Sequence, residues 1–379
     1  MKFIACLCFT LTVFTSQLIR AQGNYKTNND TLYAIKLKPI GRYLFNDKKE
    51  LELISSAVHF GITFTGKQCE IYVALKDKND HNYIQYEVDG IYKKRIRFDG
   101  KDKNPLLIKT GGIGKHTVWI YKTTEAHSGA IIINKIVAQH VKSITPSKNA
   151  MIEFIGNSIT CGAAADTTDL ACNLGEYKDH HNAYMAYGPR VARSLGVNYM
   201  LSSVSGIGIY RTWNMEGPSM PQVYENTDFQ LNNSNKWNFK TYSPKIVSIA
   251  LGTNDISLGD KINPRKPFDE ALFISSYVDF IRLIKSKYPK AQIVLLSSPM
   301  VKNAAGEVLK KCLQSIKIQS DAAFGSNKPV QLFFFNPIEI HGCGGHPSVE
   351  DHLLMAKQLI PLFKKIHLIM IDQDYLLDY

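Results

Sequence analysis

The alternation of apolar and polar positions divides the chain into two parts. Over residues 33–141, short runs rich in Val, Ile, Tyr and Thr are broken at even intervals by turn residues: AVHFGITFTG, CEIYVALKD, YIQYEVDGIY, LLIKTGGIGKHTVWIYKTT and GAIIINKIVAQ. Such spacing predicts a β-sandwich, with VDGI and TGGIGKH as tight turns. The segment KSITPSKNA, residues 142–150, is polar and holds a proline, as a linker does. Beyond it, apolar runs alternate with helical periodicity. Strands are expected at 152–155, 199–204, 246–251, 293–297 and 332–335. Helices are expected in AYMAYGPRVARSL, FISSYVDFIRLIKSKY, EVLKKCLQSIKIQSDAAF and SVEDHLLMAKQLIPLFKKI. Alternating βα units with apolar strands imply a parallel sheet between two helical layers, an α/β/α domain.

The first residues, MKFIACLCFTLTVFTSQLIRAQG, place one lysine before an apolar run from Phe3 to about Phe14, then a polar stretch reaching Ala21. The run is short for a bilayer span and has the order of a secretory signal peptide, so export to the periplasm or the extracellular space is expected. The expected division is a signal peptide over 1–21, a β-sandwich (jelly-roll-like) domain over 22–145 and an α/β domain over 150–379. At 379 residues with 45% apolar content, the chain is long enough for two cores. Loss of Lys2 and Arg20 with the leader lowers the formal charge from +12 to +10. The lysines of NDKKE, YKKRIRFDGKDK and FKKIH are dispersed rather than gathered into a stripe, which argues against a nucleic-acid partner.

Cysteine usage adds a constraint. Cys69, Cys161, Cys172, Cys312 and Cys343 remain after the leader, an odd number in a compartment where disulfides form. Cys161 and Cys172 flank a loop that a bond between them would stiffen. No CxxC or His-rich spacing marks zinc, and neither a metal nor an organic cofactor is expected.

The chemistry gathers at strand ends. In MIEFIGNSITCG the buried strand ends at Gly156, and Ser158 follows at the rim where open α/β sheets bind ligands. The next strand runs into SGIGIYR, where Gly206 can expose its amide; the third ends in GTND, placing the Asn254 side-chain amide on the same rim. His346, in GCGGHPS, precedes the last helix. A serine nucleophile needs a base to take its proton and donors for the oxyanion formed on an acyl carbon, and these four residues supply both.

The blocks IGNSIT, SGIG, GTND and HPS occur in the order of the SGNH (GDSL-like) hydrolases, which the chain resembles over residues 151–366. The GNSITCG and GCxxHPS blocks behind an N-terminal β-domain resemble more closely carbohydrate esterase family 2. That resemblance implies a jelly-roll domain followed by an SGNH domain, acting as a serine esterase on O-acetylated carbohydrate such as xylan or mannan. It implies Ser158 as nucleophile, His346 as base, and an oxyanion hole of the Ser158 and Gly206 amides with the Asn254 side chain. Other readings are a carbohydrate-binding protein on an esterase fold and a general SGNH lipase or lysophospholipase.

The chain departs from the family pattern in two places. Asn157 replaces the usual aspartate before the serine, and should hold the turn by hydrogen bonding without charge. GGHPS replaces the common DWHPS, so no carboxylate precedes His346, and a main-chain carbonyl is expected to orient it. Glu339, Glu350 and Asp351 are each expected to tolerate Asn or Gln. The glycines Gly344 and Gly345 should make the histidine loop loose unless tied, and a Cys312–Cys343 disulfide is expected to tie it. Tyr210 and Trp213 are candidates for a sugar-stacking face. His180 and His181 are expected to be exposed cap residues.

Overall fold

Nine strands of the first part pair antiparallel: β1 (Asp30–Tyr33), β2 (Tyr43–Phe45), β3 (Leu51–Leu53), β4 (His59–Leu75), β5 (His81–Val88), β6 (Ile91–Asp99), β7 (Leu106–Lys109), β8 (Lys115–Lys122) and β9 (Ile131–Ser143). The computed structural model describes residues 29–214, 217–232, 235–325 and 328–377, with side chains to Leu368; the expected leader lies outside them. The strand order is β2-β3-β9-β4-β8-β5-β6, with β1 added on β9 and β7 on β4. Long β4 and β9 run through the sheet and shift register twice between Thr63 and Glu70, where the sheet bends. Phe60, Ile62 and Ile71 of β4, Ile84 of β5, Ile120 of β8 and Ile133 of β9 meet in one buried cluster. The expected sandwich is one sheet folded over its own apolar face. VDGI is a two-residue hairpin, with Asp89 at φ 52° and Gly90 at φ 77°.

The second part holds a parallel sheet of β10 (Met151–Gly156), β11 (Asn198–Ser203), β12 (Ile246–Ala250), β13 (Gln292–Leu296) and β14 (Gln331–Phe333), each within one or two residues of its expected bounds. Its helices are α1 (Ser158–Cys161), α2 (Tyr187–Leu195), α3 (Met220–Val223), α4 (Thr253–Ile256), α5 (Glu270–Lys287), α6 (Asn303–Phe324) and α7 (Val349–Leu377). Side chains along β10 alternate between the two faces. Ile152 and Phe154 pack with Tyr187 and Val191 of α2 and with Leu359 and Phe363 of α7. Ile155 faces the cluster of Phe273 and Ile281 of α5 and Leu313 and Ile316 of α6. Burial of each such side chain contributes about 1.5–3 kcal/mol. Among the described residues no helix is long and apolar enough to cross a membrane.

The sheet order β11-β10-β12-β13-β14 places the reversal of strand order between β10 and β12. The crevice at their carboxyl ends is where a doubly wound sheet binds its ligand.

The two parts share a buried seam. Arg42, fully buried, donates from Nη1 to the Tyr224 (2.6 Å) and Asn226 (2.8 Å) carbonyls, and its Nη2 lies 3.7 Å from Glu153 Oε1 on β10. Glu153 accepts from Ser202 Oγ at 2.5 Å and Tyr224 Oη at 3.0 Å. Burial lowers the Arg42 pKa and raises that of Glu153, so desolvation outweighs mutual attraction at both ends. Such a pair fixes the docking of the two parts more than it stabilises them. Arg42→Met, which strands Glu153, is expected to cost about 3–5 kcal/mol in urea unfolding, and Arg42→Met/Glu153→Gln to restore a large part of it. Equal losses in the single and double variants would show that the two charges are not coupled.

Candidate active site

Ser158 opens α1 directly after β10. Gly156 makes this turn possible, because a Cβ there would lie 2.8 Å from Thr160 Cβ. The Asn157 side chain caps the helix by accepting from the Ile159 amide at 3.1 Å, as expected of a neutral residue at this position. Ser158 is held in place with 7% of its surface exposed.

His346 meets it across the crevice, with Nε2 2.9 Å from Ser158 Oγ. On the other side of the ring, Nδ1 lies 3.3 Å from the Cys343 carbonyl. A carbonyl only accepts, so Nδ1 carries the proton and Nε2 is free to receive one from serine. Burial lowers the His346 pKa, opposed by the carbonyls of Cys343 and Gly344. The ring is therefore neutral over the range in which a base is needed.

The loop that carries His346 departs from expectation in how it is tied. Gly344 (φ 57°) and Gly345 (φ 71°) take left-handed conformations that favour glycine. Cys343 is disulfide-bonded to Cys172, with Cα atoms 5.1 Å apart, and not to Cys312. Cys312 is a buried free thiol on α6, 3.9 Å from Glu270, in the apolar cluster on the opposite face of the sheet from α7. Cys161 does not pair with Cys172 either; its thiol points inward to Ser203 Oγ at 3.2 Å. Backbone bonds complete the tie: the Cys343 amide donates to Ala164 O (2.8 Å), and the Val349 amide to Ala165 O (3.0 Å).

No carboxylate contacts His346 among the described residues' hydrogen bonds, but Asp351 is not idle. Buried at 1% exposure, it accepts from the His341 amide (2.7 Å) and the Ser348 amide (2.8 Å), bracketing the loop. The expected tolerance of substitution there omitted this bracket, which helix periodicity does not reveal. Glu339 is almost fully exposed.

Gly206 (φ 75°) and Asn254 lie on the adjacent strand ends. Asn254, in α4, donates from Nδ2 to the Ile207 carbonyl at 2.8 Å, which links it to the Gly206 loop and leaves its second N–H. Asp255 shapes the same loop by accepting from the amides of Ile209 (2.9 Å) and Tyr210 (3.0 Å). Glu125, supplied by the N-terminal part, accepts from the Ser205 amide at 2.6 Å. Burial opposes its charge, but the neighbouring His181 and the Ser205 amide hold its carboxyl down at about 2.

Trp213 is 44% exposed and lines a cavity of about 210 Å³ with Gly206, Ile207, Thr212 and His127. Tyr210 does not offer the free ring face expected of it: its ring packs against Phe268 and Phe273, and its hydroxyl accepts from the Asp269 amide. His180 and His181 are buried, contrary to expectation. His181 lies 3.5 Å from Glu125, and its Nδ1–H donates to the Tyr177 carbonyl, 2.9 Å away. Tyr177 stands at the dyad, its Oη 3.4 Å from His346 Nε2 and 3.3 Å from Ser205 Oγ.

Sequence reasoning missed Tyr177, Glu125 and Asp255. Only Asp255, adjoining Asn254 in GTND, carried a local signal. One cluster, Asp80, His81 and Glu176, has the donor types of a cation site. The Lys178 ammonium lies between its carboxylates, and His81 Nε2 is bonded to Asp179, so these residues form an ion network joining the two parts. Removal of the tie is expected to act on chemistry: Cys172→Ser/Cys343→Ser should lower kcat at least tenfold on an acetyl ester with a smaller change in KM. Unchanged kcat would show that the backbone bonds suffice to hold His346.

Residues 39–147 match the carbohydrate esterase 2 N-terminal family, and residues 154–317 match the GDSL-like lipase/acylhydrolase family. The chain is 30% identical over 312 residues to an acetylxylan esterase/glucomannan deacetylase of Cellvibrio japonicus, covering 80% of this chain and 82% of that protein. Among solved structures, a family two carbohydrate esterase from Clostridium thermocellum in complex with cellohexaose superposes with a TM-score of 0.76 at 25% identity, over 89% of this chain and 98% of that one. A family two esterase from Cellvibrio japonicus has the same fold, with a TM-score of 0.76 at 22% identity, over 89% of this chain and 98% of that one. With both family matches in chain order and this level of identity over most of its length, the chain belongs to carbohydrate esterase family 2.

Proposed function

We propose that the protein is an exported serine esterase that removes acetyl groups from O-acetylated carbohydrate, with xylan- or mannan-type polysaccharide as substrate class. The observation that carries this reading is the 2.9 Å contact between His346 Nε2 and Ser158 Oγ, at the switch point of the sheet. His346 Nε2 takes the hydroxyl proton as Ser158 Oγ attacks the acetyl carbonyl carbon. The carbonyl oxygen becomes an oxyanion, met by the Ser158 and Gly206 amides and the second N–H of Asn254. Collapse breaks the bond to the sugar oxygen, which receives the proton from His346. Water then enters and gives its proton to His346 as its oxygen attacks the acyl carbon; the bond to Ser158 Oγ breaks as Oγ takes that proton back, and acetate leaves.

The relatives' names support the substrate class: the Cellvibrio japonicus proteins are acetylxylan esterase/glucomannan deacetylases, and the Clostridium thermocellum structure holds cellohexaose. The exposed Trp213 ring beside the cavity at Gly206 supports a sugar-stacking role for that residue. The division at residues 22–145 and 150–379 is proposed as the functional one, the N-terminal part acting as a platform for the site through Glu125.

Acetate release from acetylated xylan and glucomannan tests the activity. Ser158→Ala is expected to abolish release without loss of fold, and Asn254→Ala to lower kcat about 10²–10³-fold with little change in KM. More than a tenth of wild-type activity in Ser158→Ala would remove Ser158 as nucleophile, and a preference for long acyl chains would indicate a lipase. Export is supported by the disulfide Cys172–Cys343, which belongs to an oxidising compartment. Fractionation of cells producing the full chain is expected to find it outside the cytoplasm with its leader removed; an intact chain in the cytoplasm would refute export.

A further inference from the structure

Tyr177 has no counterpart in a two-residue catalytic scheme, yet its hydroxyl reaches the reacting atoms. It begins the turn Tyr177–His180, on the strap that Cys172 ties to the histidine loop. The strap is fixed from below. Arg95 of β6 donates from Nη1 to the Asp179 carbonyl (2.8 Å) and the His181 carbonyl (2.9 Å), and His81 of β5 bonds the Asp179 carboxylate. The Tyr177 ring meets the His181 ring edge-on at 4.7 Å and the His346 ring at 5.9 Å. The residue is 45% exposed. Burial of its hydroxyl end and then the Glu125 charge raise the phenol pKa, so the group is a neutral O–H and not a base.

The reaction places a specific demand on this point. The sugar oxygen must come within about 2.6–3.2 Å of His346 Nε2 to take its proton. Because Tyr177 Oη is 3.4 Å from that nitrogen, an oxygen on the open side of Nε2 is within hydrogen-bond reach of both. We propose that the Tyr177 hydroxyl donates a hydrogen bond to the leaving sugar oxygen during acyl transfer, and so suits the site to esters of strongly basic alcohols. The proposal rests on the esterase reading. In this step the bond between the acetyl carbon and the sugar oxygen breaks, its electron pair stays on that oxygen, and the proton comes from His346 Nε2. Tyr177 keeps its own proton throughout. Its contribution scales with the negative charge on the departing oxygen: large for a sugar, whose alkoxide is a poor leaving group, and small for p-nitrophenolate, which departs without help.

The test is a leaving-group series of acetyl esters, from p-nitrophenyl through less acidic phenols to an acetylated xylo-oligosaccharide, measured in wild type, Tyr177→Phe and Ser158→Ala. Tyr177→Phe is expected to lower kcat/KM roughly 10- to 100-fold on the oligosaccharide and less than about threefold on p-nitrophenyl acetate, steepening the dependence on leaving-group pKa. Damage to the fold or to dyad alignment would lower every ester by one factor and leave that slope unchanged. An unchanged slope therefore overturns the proposal, whether rates fall together or do not fall. Failure of the esterase reading is separate: wild type would then release no Ser158-dependent acetate from any member of the series.

Discussion

The site depends on one weak hydrogen bond, from His346 Nδ1–H to the main-chain carbonyl of Cys343. Serine at neutral pH is a poor nucleophile, and its activation requires an imidazole with the bare nitrogen facing it. A carboxylate achieves this elsewhere through charge; here a dipole does, and a dipole orients only as well as its peptide is held. The loop contains two adjacent glycines in left-handed conformations, which by themselves favour disorder. Its order comes from outside: the Cys172–Cys343 disulfide, the Ala164 and Ala165 carbonyls, and the Asp351 bracket.

Each of these supports leads back to a larger part of the fold. Cys172 and Cys343 are 171 residues apart in sequence, so their bond closes a long loop and restricts the unfolded chain by about 5 kcal/mol in the chain-entropy account. The strap bearing Cys172 is in turn laid on the N-terminal sheet through Arg95, whose side chain is buried against Asp166 at 3.3 Å. Glu125 reaches from the same part to the Ser205 amide, next to Gly206. The N-terminal sheet thus positions both sides of the crevice. Its charges at the seam, Arg42 among them, fix the orientation of the two parts, while the apolar clusters on the two faces of the parallel sheet provide the cohesion.

Local pattern in the sequence revealed what local pattern determines. Apolar runs of four to six residues located the parallel strands, the first three with a glycine within two residues of their ends, and the alternation with helices located Ser158, Gly206 and Asn254 at strand ends and His346 before the last helix. The VDGI hairpin was legible because Asp-Gly meets the positive φ that its turn needs. What escaped depends on contacts distant in sequence. Cys312 and Cys343 are near in the chain, but Cys312 is buried in the apolar cluster with α5 and α6 while Cys343 sits on the histidine loop, and the true partner, Cys172, is reached only by folding. His181 looked like a polar surface residue because its partner, Glu125, lies in the other part. Tyr210 and Trp213, three residues apart, gave the same aromatic signal, yet one packs inward on Phe268 and the other is open to solvent.

The central claim, that a tied main-chain carbonyl holds His346 as the Nδ1–H tautomer, is tested most directly by ¹⁵N NMR of histidine-labelled protein across pH, with His346 assigned through His346→Gln. The account predicts a neutral Nδ1–H ring at pH 7, titrating below 6.5 because burial lowers its pKa; reduction of Cys172–Cys343 should convert it to a mixture of tautomers. A ring that is mainly Nε2–H at pH 7, or that titrates above 6.5, would contradict the account.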